Sequence, residues 1–178
     1  MLKDYPDVKL LGTVAGNWTP SVTSTEMSKF LATHPQQIDG VFDAGAEDVA
    51  SMQAFESAGI ALPKINSITG GCDFLAYWKD NPDAGTLATN QSPAAAAYET
   101  FLVIARKLAG QNLAVNTVFY PVPTITADNF DDWYDPSMTV QSTCIPNSPD
   151  GRAVEDKYFD SFFSGGGDMK LAPEPETK

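Results

Sequence analysis

Short apolar runs alternate with segments of helical period from residue 8 to residue 125, and this alternation constrains the fold more than any other feature. VKLLGTV, residues 8–14, predicts a buried strand. Thr19 then stands as an N-cap, Pro20 takes the first helical position, and Val22, Met27, Phe30 and Leu31 recur at helical spacing until Pro35 stops the helix. IDGVFDAG, residues 38–45, predicts a second strand. AEDVASMQAFESAG predicts a second helix, with Glu47 and Asp48 in its first turn and Gly59 past its end. LPKINSITGG reads as a third strand, CDFLAYWKDN as a short helix, and AGTLATNQ as a fourth strand. A fifth extended stretch, VNTVFYPVPTIT, ends the regular pattern. Such an order describes βαβ units, hence an α/β fold with a parallel, doubly wound sheet.

One helix in this series is unusual. Pro93 can open it and Gly110 can close it. Between them Ala94, Ala97, Tyr98, Phe101, Leu102, Ile104, Ala105 and Leu108 cover well over half the circumference, whereas a surface helix normally shows one apolar stripe. After about Ala127 the sequence mixes aromatics with turn residues and suits an extended arm laid over a domain surface. The closing SGGGDMKLAPEPETK has almost nothing to bury and is expected to be disordered.

Charge removes several classes of function. Acidic residues number 23 against 11 basic ones, a net −12, with no Lys/Arg cluster of the kind that binds phosphate backbones or anionic lipid. No apolar run approaches the roughly 18 residues of a membrane span. MLKDYPDVKL lacks the features of a signal peptide, so the expectation is a cytoplasmic protein or a Met1 that is not the natural start. His34 is the only histidine, which argues against zinc sites and histidine-based triads; before Pro35 at a helix end it suits the helix dipole. Cys72 and Cys144 lack metal-type spacing and read either as two buried thiols or as one disulfide tethering the C-terminal part.

Ligands of open α/β sheets bind beyond the carboxyl ends of the strands. Those ends carry Asn17 and Trp18, then Asp43, then Thr69 with Gly70 and Gly71, then Asn90 and Gln91. Carboxylates and carboxamides can each hold two hydroxyls, and a flat aromatic suits the C–H face of a ring, so the set fits a sugar. The same residue types also serve as ordinary caps and turn formers. Gln91 is too long for a good cap, and Trp18 lies in a loop rather than on a helix face. Catalytic patterns are missing: there is no G-x-S-x-G elbow, no Walker loop and no G-x-G-x-x-G after a strand. A phospho-accepting receiver built on Asp43 would need an acidic pair after the first strand and a late lysine, and neither is visible. Binding without chemistry, metal or cofactor is the reading.

The order of these pieces resembles the second half of type I periplasmic sugar-binding proteins of the ribose- and galactose-binding kind. The resemblance rests on the tryptophan turn at Trp18, on LATHPQQIDGVF and QAFESAG, on SITGGCDFL, on LATNQSPAAAAYE with ARKLAGQ, and on PVPTITADNFDDWY with a late DKYF. It covers roughly residues 2–163. Lac-repressor-type effector domains share the architecture and are the alternative.

The resemblance implies a periplasmic, or extracellular and tethered, sugar or polyol receptor that serves ABC permease subunits. It implies neither nucleic-acid binding nor direct membrane insertion. Trp18 falls on the aromatic that stacks on the sugar and Gln91 on the hinge glutamine. Thr69 stands where many relatives have aspartate, and Gly45 where many have Asn or Asp; Asp43 or Asp73 is the candidate compensation. Residues 1–91 would be part of the second lobe, 92–114 a helix packing on the first lobe, 115–164 the return strand and arm, and 165–178 a tail. The first lobe and the second lobe's first strand are then expected to be absent, leaving a slot between residues 8–14 and 38–45. The 94–108 helix would have an unpartnered apolar face open to self-association.

Overall fold

The computed structural model describes residues 2–34, 36–43, 47–90, 92–119, 121–149 and 151–166. Among them are four α-helices: α1 Pro20–Thr33, α2 Asp48–Ala58, α3 Cys72–Asp80 and α4 Pro93–Leu108. The strands are β1 Gly40–Phe42, β2 Lys64–Ser67, β3 Gly85–Thr89, β4 Asn112–Leu113, β5 Thr124–Ile125 and β6 Phe163–Ser164. The main sheet runs β1-β2-β3-β5, with β1, β2 and β3 parallel and β5 antiparallel to β3. The α/β reading with a parallel sheet therefore holds.

Proline and glycine set the helix bounds where the sequence placed them. Pro20 and Pro93 each open a helix, since the first turn lacks an acceptor for their missing N–H. Gly59 ends α2 in the left-handed conformation, φ 66°. His34 ends α1, its Nδ1 3.0 Å from the Phe30 carbonyl and its ring stacked on Phe30 at 4.0 Å. Thr19 occupies the N-cap position of α1, but its hydroxyl donates backward to the Asn17 carbonyl instead of capping the helix.

Residues 8–14 are a correction: they form no strand, and Val8, Leu10 and Leu11 are exposed. A strand exists through its ladder, and among the described residues no strand pairs with this segment, although Gly12 lies close to Phe30 and Val14 packs on the α1–α2 cluster. The fifth extended stretch is corrected as well. Among its described residues only Thr124–Ile125 forms a strand, β5, which pairs with β3, while β4 lies just before the stretch and pairs with β6.

Helices cover one face of the sheet. Val41, Ile65, Ala88 and Ile125 alternate toward that face and meet Phe74, Leu75 and Trp78 of α3 with Met52 of α2. Phe42, Asn66 and Leu87 share one cross-strand row on the other face, where Phe42 is 82% exposed. On the helical side α1 packs its Met27 and Leu31 onto Ala54 and Phe55 of α2. Each large side chain there contributes roughly 2–3 kcal/mol by leaving water.

The arm after Ala127 is more deeply engaged than a surface strap. Phe130 and Trp133 are buried in the main core, Phe130 meeting the Trp78 ring edge-on at 5.1 Å. Cys72 and Cys144 are joined in a disulfide, which replaces the two-thiol reading. Residues 151–163 cover the inner face of α4, where Leu102, Val154 and Phe159 form a separate cluster. The inner face of α4 also buries Glu99 and Arg106, whereas its outer face exposes Phe101, Ile104 and Leu108, the last by 85%. The tail expected to be disordered lies, from residue 167 on, outside the described residues.

Candidate functional site

The turn before α1 and the loops beyond the carboxyl ends of the parallel strands are joined by hydrogen bonds, and Trp18, Asp43 and Thr69 sit on them. The first loop is a tight turn: Asn17 and Trp18 both have positive φ, 54° and 56°. Left-handed backbone is costly for non-glycine residues and persists only where the surroundings impose it. Here the Thr19 N–H reaches both the Gly16 carbonyl at 3.1 Å and Glu47 Oε1 at 2.8 Å. Gly16 has no room for a side chain, since a Cβ would lie 1.9 Å from Thr23 Oγ1 and 2.5 Å from Glu47 Oε1. The turn is thus seated on the N-terminus of α2, and it holds Trp18 outward, 74% exposed. Trp18 is not a core residue.

Directly after Glu47, Asp48 is 1% exposed. Its Oδ1 accepts the Val49 N–H at 2.8 Å, and its Oδ2 has no partner. Burial pushes its carboxyl up to about 7, the Asp43 and Asp73 carboxylates push the same way, and the Ser67 hydroxyl and Val49 N–H pull against them. Burial also raises Asp73, opposed by the Phe74 N–H. Asp43, half-buried after β1, therefore shares a field with Asp48 and Asp73 at the mouth of the sheet.

Ser67, the last residue of β2, accepts the Gly70 N–H at 3.0 Å and lies 3.5 Å from the hydroxyl of half-buried Thr69. Gly70 has φ 54°, and a Cβ there would stand 3.0 Å from the Thr89 carbonyl, so glycine permits both the turn and the approach. Thr89 ties the next loop in by donating to the Ile68 carbonyl at 2.8 Å. Asn90 then bonds three ways: its N–H to Pro123 O at 2.8 Å, its Nδ2 to Pro146 O at 2.8 Å, and its Oδ1 from the Ser92 N–H at 3.2 Å.

Trp18, Asp43 and Thr69 thus belong to one rim, linked through Glu47, Asp48 and Ser67. Gln91, between Asn90 and Ser92, lies outside the described residues, as does Gly45. Sequence reasoning missed Glu47, Asp48 and Ser67 as parts of the rim, whereas it placed Asn90 there at the end of the fourth strand. Glu47 and Asp48 read as ordinary first-turn acids, and the available signal was the unbroken small and apolar run from Val49 to Met52, which marks a helix start buried on several sides.

The rim offers acceptors for hydroxyls and an aromatic platform. The cysteine of the GGCD turn, the one nucleophile considered there, is held in the disulfide. Among the described residues no group of three or more His, Cys, Asp or Glu is arranged to hold a metal ion. An open depression of about 530 Å³ adjoins Asn90, lined by Pro123, whose carbonyl accepts the Asn90 N–H, and by Pro121, Trp133 and Arg152.

A family model described as "Periplasmic binding protein domain" matches residues 1–112. A xylitol-binding protein of Mycolicibacterium smegmatis is 30% identical over 133 residues, which are 74% of this chain and 37% of that protein. An ABC transporter solute binding protein from Thermobispora bispora superposes with TM-score 0.63 at 24% identity, over 90% of this chain and 46% of that one. A galactofuranose binding protein superposes with TM-score 0.61 at 18% identity, over 74% of this chain and 45% of that one. The chain spans less than half the length of each of these relatives.

Proposed function

The chain belongs to the periplasmic binding protein domain family, and on that premise we propose that it is the ligand-holding second-lobe portion of a sugar or polyol receptor serving an ABC importer. The observation that supports this reading is an exposed Trp18, turned outward by a strained turn that Glu47 fastens to the start of α2, on the side of the sheet where Asp43 and Thr69 follow β1 and β2. Trp18 stacks on the C–H face of the ligand, while Asp43, Thr69 and Gln91 accept and donate to its hydroxyls. The protein binds and releases its ligand without chemical change. The relatives named above are solute-binding proteins, which favours the receptor over the regulator reading.

Function follows from closure. Residues 1–91 belong to one lobe, the 92–114 helix packs on the other, 115–164 return and strap the two, and 165–178 form a tail. Ligand held by both lobes stabilises the closed state by its differential affinity, and permease subunits engage that closed shape outside the cytoplasmic membrane. No described helix is long and apolar enough to cross a membrane. Without a covering lobe, the outer face of α4 associates with a second copy. Titration calorimetry of the full-length protein with xylitol, other pentitols, ribose and galactose tests the proposal. Binding that Trp18→Ala weakens at least tenfold is expected; heat-silent titrations with all of them, or binding indifferent to Trp18→Ala, would remove this site assignment.

A further inference from the structure

We infer that residues 143–147 of the disulfide-tethered arm form a fixed wall of the ligand rim, an inference that rests on the receptor reading above. Two bonds join the same pair of residues: Cys144 is covalently bound to Cys72, and its carbonyl accepts the Cys72 N–H at 2.9 Å. Position and direction of the arm are therefore both set three residues beyond Thr69. Two residues later the Pro146 carbonyl accepts from Asn90, the residue before Gln91. Pro146 and Ser148 are buried, so the arm is seated there rather than draped.

The spacing agrees with strand geometry. The arm is pinned at Cys144 beyond β2 and at Pro146 beyond β3, and these strands are neighbours in the sheet. Adjacent strands lie about 4.8 Å apart, and two extended residues reach roughly 6.6 Å, enough to cross from one strand end to the next. Thr143 and Asn147, on either side of the pinned stretch, are exposed, with half-buried Ile145 between the pins.

The wall also shapes the chemistry of the ligand. The N-terminal N–H groups of a helix attract anions, and α3 begins at this rim. Its first N–H, that of Cys72, is already taken by the Cys144 carbonyl, and Asp73 stands beside it. The wall thus closes that corner to carboxylate or phosphate and leaves the rim to uncharged polyhydroxy compounds.

Hydrogen exchange on the oxidised full-length protein, with and without saturating xylitol, ribitol, ribose or galactose, tests this. Ligand-dependent protection is expected across 143–147 as well as 17–19 and 67–71. Thr143→Trp and Asn147→Trp should each weaken binding at least tenfold, while Gln53→Trp on the exposed side of α2 should leave it unchanged. No protection at 143–147, or affinities within twofold of wild type in both arm variants, overturns the wall and leaves the receptor reading standing. Failure of all four compounds to bind the wild-type protein overturns the receptor reading and the wall with it.

Discussion

The backbone N–H of Thr19 donates to Glu47 Oε1 at 2.8 Å, across 28 residues of sequence, and so fastens the Trp18 turn to the start of α2. Because Asn17 and Trp18 both occupy left-handed backbone, that turn relaxes once its fastening is removed. Glu47→Ala should let the Trp18 ring move: its fluorescence should be quenched more readily by acrylamide, and ligand affinity should fall about tenfold, roughly 1.4 kcal/mol. Glu47→Gln keeps an acceptor oxygen and should restore most of both. Trp78 and Trp133 are buried, so the change in quenching reports on Trp18. Equal quenching in the Ala variant and wild type would show that the turn holds itself.

Asp48 gives the protein a definite pH dependence. Its carboxyl is raised from 3.8 to about 7, chiefly by burial. The folded protein therefore holds a proton that the unfolded chain releases, and the resulting stabilisation is complete below about pH 4 and lost as pH rises through 7. The contribution is on the order of 4 kcal/mol at most. Asp48→Asn should flatten the stability profile between pH 4 and 7 and make the protein more stable than wild type at pH 8. Denaturant titrations at a series of pH values measure it; parallel profiles for the two proteins would refute the assignment.

The Cys72–Cys144 disulfide closes a loop with a sequence separation of 72. Restricting the unfolded chain over that span contributes about 4 kcal/mol. The Cys72→Ser/Cys144→Ser double variant should lose a comparable amount of stability, and dithiothreitol should lower the Tm of wild type but not of the variant. Urea unfolding with and without reductant gives the comparison.

Glu99 secures the C-terminal segment. Buried on α4, it accepts the N–H groups of Ala153 at 2.9 Å and Val154 at 3.1 Å through one oxygen. Arg106, two turns on, donates to Asp160 at 2.6 Å and to the Asp156 carbonyl at 3.1 Å. Glu99→Ala strands two backbone donors and should cost roughly 2–4 kcal/mol. The amides of 151–163 should then exchange faster than those of α2. Glu99→Gln, which keeps an acceptor, should cost less.

The outer face of α4 should govern self-association. Phe101, Ile104 and Leu108 are exposed on it. Replacing Ile104 and Leu108 by Ser should shift sedimentation toward monomer with little loss of helicity, because neither side chain belongs to the buried clusters. Unchanged sedimentation of the double variant would place any contact elsewhere.

What the sequence determined by itself was local. Pro20, Pro93 and Gly59 bound their helices because a missing donor or a left-handed φ acts within one turn of chain. The alternation of strand and helix likewise placed Asp43 and Thr69 beyond strand ends, since a parallel sheet brings those ends to one side, whereas Trp18 follows no strand and is fastened to α2 through the Thr19–Glu47 bond. The tertiary structure decided what depends on distant partners. Residues 8–14 have the composition of a strand yet find no ladder, because pairing requires a neighbour that local pattern cannot supply. Asp48 resembles any first-turn acid until the fold buries it beside Ser67 at the end of β2. Whether two cysteines 72 residues apart would meet depended on the path of the arm, which Phe130 and Trp133 direct by burying themselves against α3.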